Sequence, residues 1–190
     1  MAFYNKEELE NIGFKKLGIN VLISNKVSFY GCENIEIGDY SRIDDFCVIS
    51  AGQGGIKIGR NVHIAVFCSV IGSGEIVLDD YSCISSRVAV YSSNDDYSGE
   101  YMTNPTVPME FTNVTSNPVR IGKHVVVGSG SVILPGVEVH DGCAVGALSL
   151  ISKSCEGGYI YIGSPAKKIK KRSDNIFKLE MKFLSNSNNY

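Results

Sequence analysis

No run of this 190-residue chain approaches the about 18 consecutive apolar residues that a membrane-spanning helix needs. Lys and Arg do not cluster anywhere ahead of the C-terminal stretch, and the balance of 18 basic against 20 acidic residues gives a nucleic-acid backbone little to hold. The six cysteines include no pair at CxxC spacing, so neither a disulfide framework nor a structural zinc site is indicated. Three histidines, separated by 61 and 16 residues, form no metal-ligand motif. The N-terminal MAFYNKEELE is polar and acidic, unlike a leader peptide, and free thiols suit a reducing compartment. These absences point to a soluble cytoplasmic protein, in which the glycosylation-like triplet Asn113-Val114-Thr115 has no role. The length suits one domain with a substantial core.

What the chain does have is a six-residue beat. Rows that begin with an aliphatic residue read IGDYSR and IDDFCV from Ile37, IGRNVH and IAVFCS from Ile58, and LDDYSC and ISSRVA from Leu78. The beat resumes at Ile121 as IGKHVV, VGSGSV, ILPGVE, VHDGCA, VGALSL and ISKSCE. A helix face recurs every 3.6 residues and a half-buried strand every two, so neither explains a period of six. Short strands with a turn after each do. Three hexads then make one triangular coil, and stacked coils bury a continuous core. A strand-like tetrad opens successive coils: IEIG at Ile35, IKIG at Ile56, IVLD at Ile76, VRIG at Val119 and IYIG at Ile160.

In such a coil the first residue of each hexad points inward and the fifth packs beside it at the corner, where only a small side chain fits. Cys47, Cys68, Cys143 and Cys155 occupy fifth positions, as do Ser41, Ser82, Val88, Val125, Ser131 and Ser149, and all are expected in the core. Residues 1–18 form a cap in which Asn5 and Glu8 make a capping box and Gly13 ends a short helix over the open end of the solenoid. The solenoid spans 19–166. Residues 167–190 form a basic tail, with a short helix predicted over Ser173–Leu184 and a frayed SNSNNY end.

The beat stops between Ser92 and Pro118. Those 27 residues carry SSNDDYSGEYM at their start and are expelled as a loop, long enough to be functional or disordered. Tyr97, Tyr101, Met102, Met109 and Phe111 equip the loop to pack against the side of the solenoid or a neighbouring subunit. Glycine-rich breaks at Ala51–Gly55 and Ile71–Glu75 read as tight corners, and Gly128-Ser129-Gly130 lies inside hexads, so it is no dinucleotide fingerprint.

The hexads, the expelled loop and the ending GSPAKKIKKR resemble the hexapeptide-repeat acyltransferases over about Ile19 to Arg172. The resemblance implies an all-β solenoid, a left-handed parallel β-helix, assembled as a homotrimer with active sites between subunits. Left-handed coiling runs against the usual rule for parallel crossovers and comes from the resemblance alone. SSNDDYSGEYMTNPTVP looks most like nucleotide-sugar acyltransferases of surface-polysaccharide pathways, such as lipopolysaccharide O-antigen synthesis, particularly those that N-acylate a dTDP-4-amino-4,6-dideoxyhexose. It is less like the galactoside and maltose O-acetyltransferases.

The resemblance also implies roles. The O-acetyltransferases use a loop histidine as base, whereas this loop has none and holds Asn94, Asp95 and Asp96 there. Such carboxylates suit an amine, which attacks a thioester without a strong base, better than a hydroxyl. Two adjacent aspartates can also raise one pKa by repulsion, or simply cap a turn and face water. His124, on the coil after the loop, is the alternative base. Ser85 and Ser86, with Tyr97 and Glu100 of the loop, are candidate acceptor-binding residues. Coenzyme A would lie along Ser129, Ala147, Ser152 and Lys153, its phosphates near Lys167, Lys168, Lys171 and Arg172. No metal is expected. The expected reaction is acetyl transfer from acetyl-CoA to the amine of a nucleotide sugar; the alternatives are O-acetylation of a sugar hydroxyl and a non-catalytic trimeric scaffold.

Overall fold

A computed structural model describes residues 2–187. The chain winds into a three-walled prism, each wall a parallel sheet whose neighbours in space are one coil apart in sequence. Wall 1 contains Lys16–Leu17, Ile35–Ile37, Ile56–Ile58, Ile76–Leu78, Val119–Ile121 and Glu138–Val139. Wall 2 contains Leu22–Ile23, Arg42–Ile43, His63–Ile64, Cys83–Ile84, Val126–Val127 and Ala144–Val145, and ends in Tyr159–Gly163 paired antiparallel with Ala166–Lys171. Wall 3 contains Ser28–Tyr30, Val48–Ala51, Ser69–Gly72, Ala89–Tyr91, Val132–Ile133 and Leu150–Ile151. This is the left-handed parallel β-helix that the family resemblance implies, with the stacked coils that the hexads predict.

The hexad positions explain the core. First-position Ile37, Ile43, Ile64, Leu78, Ile84, Ile121 and Ile133 are fully buried in one column. Each contributes about 1.5–3 kcal/mol by leaving water. At several fifth positions the side chain does more than fill space, because it donates to a carbonyl of the following coil. Ser41 Oγ donates to the Gly59 carbonyl at 2.7 Å and accepts from the Val62 amide at 3.0 Å. Cys47 and Cys68 donate from Sγ to the carbonyls of Ala65 and Ser85 at 3.0 and 3.1 Å. The four fifth-position cysteines are thus buried substitutes for serine, as their spacing predicted.

The fourth position turns the corner in the left-handed region, and non-glycine residues often occupy it: Tyr40, Phe46, Asn61, Phe67, Tyr81, Arg87, His124 and Leu148. That conformation costs roughly 1–2 kcal/mol per residue. Stacking between successive coils offsets part of it. Phe46 lies on Phe67 at 5.1 Å between ring centroids, and Tyr81 lies on His124 at 5.0 Å.

One tetrad departs from expectation. IYIG at Ile160 does not join wall 1 with the other four; Ile160 and Tyr161 pair with Ala144 and Val145 in wall 2. The wall 1 place in that last coil is taken by a single bridge from Cys155 to Val139. Gly157 and Gly158 then carry the chain to wall 2, where Tyr161 rather than the flanking isoleucines points inward.

A helix lies near each end of the chain. Helix α1, Lys6–Asn11, has the expected capping box: Asn5 accepts from the Glu8 amide at 2.9 Å and Glu8 accepts from the Asn5 amide at 2.7 Å. Its Leu9 is buried against the first coils. Helix α2, Asn175–Ser187, lies along the edge between walls 1 and 2 and begins two residues later than predicted. The fraying expected over 185–190 is not seen as far as Ser187, and residues 188–190 lie outside the described ones.

Candidate active site

The three edges of the prism divide the candidate residues. Along the edge between walls 2 and 3, four of them stack in successive coils. The Gly130 amide donates to the Ser86 carbonyl at 3.0 Å, and the Leu148 amide donates to the Ser129 carbonyl at 2.9 Å. Ser85 and Ser86, then Ser129, then Ala147 therefore form one continuous line. Gly128 and Gly146 keep it narrow: a Cβ on Gly128 would meet the Ala147 amide nitrogen at 2.5 Å. The result is an exposed strip of backbone with small side chains, against which an extended chain of amides can lie. Below it, the hairpin of wall 2 presents Lys167 and Lys168; Lys168 Nζ is 2.7 Å from Glu156 and over the Tyr159 ring. Arg172 has turned away and donates to the carbonyls of His124, Gly142 and Cys143 at 2.9, 3.2 and 2.8 Å.

The loop leaves from the edge between walls 3 and 1. Buried Ser92 anchors it, donating from Oγ to the Gly74 carbonyl at 2.7 Å and accepting at its own carbonyl from the Asn117 amide at 2.9 Å. Both ends of the loop cross Gly74, where a Cβ would lie 2.8 Å from the Asn117 carbonyl. Sequence reasoning missed the short antiparallel ribbon above this root, Ser93–Asn94 against Thr115–Ser116. Asn94 belongs to that ribbon and aims the next two residues outward.

The two aspartates then differ. Asp96 accepts from Ser98 Oγ at 2.8 Å and the Gly99 amide at 2.8 Å, and these donors hold its carboxyl below the usual range. It closes a turn. Asp95 is exposed, and no hydrogen bond or ion pair to it is found among the described residues. Tyr97 and Glu100 are exposed beyond it. Among the described residues, the hydrogen bonds of 95–114 stay within the loop, and Tyr97 and Met109 are 91% and 87% exposed. Ser152 and Lys153 lie on this same edge, at the end of the last strand of wall 3.

His124 stands on the remaining edge, between walls 1 and 2. Its Nε2 is 2.8 Å from Glu180 of α2, its ring lies on Tyr81 and meets Phe177 edge-on, and Lys123 holds the other Glu180 oxygen at 2.6 Å. Lys123 and His124 keep the partly buried Glu180 carboxyl below its usual range despite desolvation. The fourth place of the hexad IGKHVV was the signal: it marks a corner residue that stacks on its neighbours.

Comparison with known proteins agrees with this architecture. Residues 118–153 match the bacterial transferase hexapeptide (six repeats). The chain is 54% identical over 183 residues to dTDP-4-amino-4,6-dideoxy-D-glucose acyltransferase of Escherichia coli, covering 96% of this chain and 95% of that enzyme. A variant of AntD, an N-acyltransferase from Bacillus cereus, solved with dTDP-4-amino-4,6-dideoxyglucose and coenzyme A, superposes with a TM-score of 0.93 at 43% identity, covering 97% of this chain and 98% of that one. A maltose O-acetyltransferase from Clostridium difficile shares the fold, with a TM-score of 0.60 at 20% identity over 90% of this chain and 78% of that one. With its coils, its expelled arm and this likeness along nearly its whole length, the chain belongs to the hexapeptide-repeat acyltransferase family.

Proposed function

We propose that this enzyme transfers an acyl group, acetyl in the simplest case, from acyl-CoA to the amine of a dTDP-linked 4-amino-4,6-dideoxy sugar in the cytoplasm, for lipopolysaccharide O-antigen or capsule. The observation that carries this reading is Asp95, a free carboxylate at the tip of an aimed ribbon in a loop without histidine. The likeness to the E. coli and B. cereus enzymes supports the same substrate class.

The strip from Ser129 to Ala147 suits the amides of the pantetheine arm, which need backbone partners and small side chains; Ser152 and Lys153 extend contact across wall 3, and Lys167 and Lys168 suit the phosphates. At the upper end of the strip Ser85 and Ser86 are placed to hydrogen-bond the acceptor or the developing oxyanion. A sugar amine with a pKa of about 8, as for α-amino groups, is already partly unprotonated at neutral pH. Asp95 orients its lone pair and accepts the proton as nitrogen bonds to the thioester carbon and the carbon–sulfur bond breaks, coenzyme A leaving as its thiolate, while Asp96 holds the turn and Tyr97 and Glu100 line the approach. His124, clamped to α2 on another edge, takes no part in this scheme.

Asp95 and Ser85 leave from different edges of one chain, which favours a homotrimer in which the loop of one subunit reaches the strip of the next. The uncovered aromatic and methionine side chains of the loop support this assembly.

Free thiol release is measured with acetyl-CoA and either dTDP-4-amino-4,6-dideoxyglucose or plain galactosides. Release with the amino sugar alone is expected. Release only with galactosides would move the enzyme to O-acetylation, and silence with every acceptor together with no CoA binding would leave a scaffold.

A further inference from the structure

The outer face of wall 2 carries a cluster that the acyl-transfer scheme does not use. Arg42, His63 and Cys83 lie in register on three successive strands, followed by Val126. Adjacent rungs are about 4.8 Å apart, so each of these side chains lies beside the next. His63 Nε2 is 2.9 Å from Asp44 Oδ2, and Arg42 Nε donates to Asp44 Oδ1 at 2.7 Å. Asp44 is nearly buried, with its side chain 8% exposed. The Cys83 side chain projects beside the same imidazole from the next strand. The thiol contact and the Asp44 hydrogen bond push the ring's pKa up to about 9, so it is cationic at neutral pH. This sets a half-exposed thiol beside an imidazole that a carboxylate orients, the grouping found around exchanging cysteines. Cys32, the other half-exposed cysteine, has the opposite surroundings: burial and the Glu33 carboxylate push its pKa up.

We propose that Cys83, His63 and Asp44 form a site that exchanges with low-molecular-weight disulfides, and that the mixed disulfide obstructs acyl transfer at the neighbouring Ser85. Ser85 follows directly on the Cys83–Ile84 strand, roughly 6–7 Å along the chain from Cys83. The Cys83 sulfur attacks one sulfur of R–S–S–R and a new S–S bond joins R–S to Cys83. The old S–S bond breaks, and R–S⁻ leaves with the electron pair and takes up the proton that the Cys83 thiol gives up. The disulfide is the oxidant, and one thiol is released per adduct. The obstruction rests on the acyl-transfer reading above; the adduct does not.

The intact enzyme is treated with oxidised glutathione or with coenzyme A disulfide, and each cysteine's adduct is followed by peptide mass mapping alongside acyl transfer. Cys83 is expected to react about tenfold faster than Cys32, with turnover falling in step and returning on reduction. Adduct from one reagent only identifies which disulfide the site accepts, and supports the proposal either way. His63→Gln should slow the Cys83 reaction and leave Cys32 unchanged. Cys83→Ser should keep parent turnover and lose sensitivity to both reagents. Cys32 reacting as fast as Cys83, an adduct rate indifferent to His63→Gln, or full turnover with Cys83 modified would each overturn the proposal. Mass mapping reads the adduct even if the protein proves inert toward amino sugars, so the two readings fail separately.

Discussion

Walls 1 and 3 are built from the same hexads yet present opposite outer faces. On wall 1 the in-register ladder runs Lys16, Glu36, Lys57, Val77, Arg120, Glu138, with Lys15–Glu36, Lys57–Glu75 and Arg120–Glu138 at 2.8, 2.6 and 2.8 Å. On wall 3 the corresponding ladders run Ser28, Val48, Ser69, Ala89, Val132, Leu150 and Tyr30, Ser50, Ile71, Tyr91, without a charge. The inward residues are the same aliphatics, so the core does not account for the difference. Charges that pair with each other suit a wall that meets water, whereas an uncharged wall flanked by the strip and the loop root suits one that meets ligand or another chain. The largest expected effect is therefore beside wall 3. Asp95→Asn should lower kcat with the amino sugar by about 10²–10⁴-fold, the range for loss of a general base, with the urea midpoint unchanged. Asp96→Asn, which can still close the turn, should stay near the parent. Equal losses from the two would refute the division of labour between them.

Next in size is the strip itself. Ala147→Phe places a large side chain on the narrowest part of the edge between walls 2 and 3. It should raise KM for acetyl-CoA about tenfold, a cost of about 1.4 kcal/mol, while KM for the amino sugar holds. A KM unchanged for acetyl-CoA would move the cofactor off this edge.

The coils themselves were legible because the period of six is enforced by the core: aliphatic first and small fifth is a rule that Ile43, Cys47, Ile64 and Cys68 cannot break without opening a cavity or a clash. The same rule misplaced the tetrad at Ile160, since a tetrad looks alike on any wall and the turn made by Gly157-Gly158 decides which one receives it. Asp95 and Asp96 were indistinguishable in sequence, because the choice between them depends on which carboxylate meets Ser98 and the Gly99 amide. His63 and Cys83 are 20 residues apart, and only the register of one coil on the next makes them neighbours.

That register has a thermodynamic consequence of intermediate size, on the outer face of wall 2. The folded pKa of His63, raised to about 9 by Cys83 and Asp44, lies above the unfolded value of about 6.5. Its contribution to stability is therefore full below pH 6.5 and is lost as pH rises through about 9. Asp44 runs the other way: His63 and Arg42 hold its carboxyl below the unfolded value, so its contribution is present above that value and is lost as acid protonates it. Since the His63 side chain is 42% exposed, solvent screens part of the effect. The urea midpoint should fall between pH 6.5 and 9.5 in the parent and fall less in His63→Gln. Parallel pH curves for the two would mean that the pair is not formed in solution.

Wall 1 supplies the smallest effect, and its smallness is informative. Arg120 holds Asp79 at 2.7 Å and Glu138 at 2.8 Å, the most connected ion pair of the ladder, yet its side chain is about half exposed. An exposed pair is worth about 0.2–1 kcal/mol after screening and side-chain ordering. Arg120→Met should therefore shift the urea midpoint slightly, lose even that shift in high salt, and leave kcat and both KM values at the parent level. The same number of charges inserted on wall 3, for example Ala89→Lys with Val132→Glu, should pair across adjacent strands just as well and cost stability no more. Acyl transfer should nevertheless fall, because the uncharged face serves what docks on it rather than the solenoid beneath. Loss of turnover from Arg120→Met, or normal turnover from the wall 3 pair, would erase the contrast between the two walls.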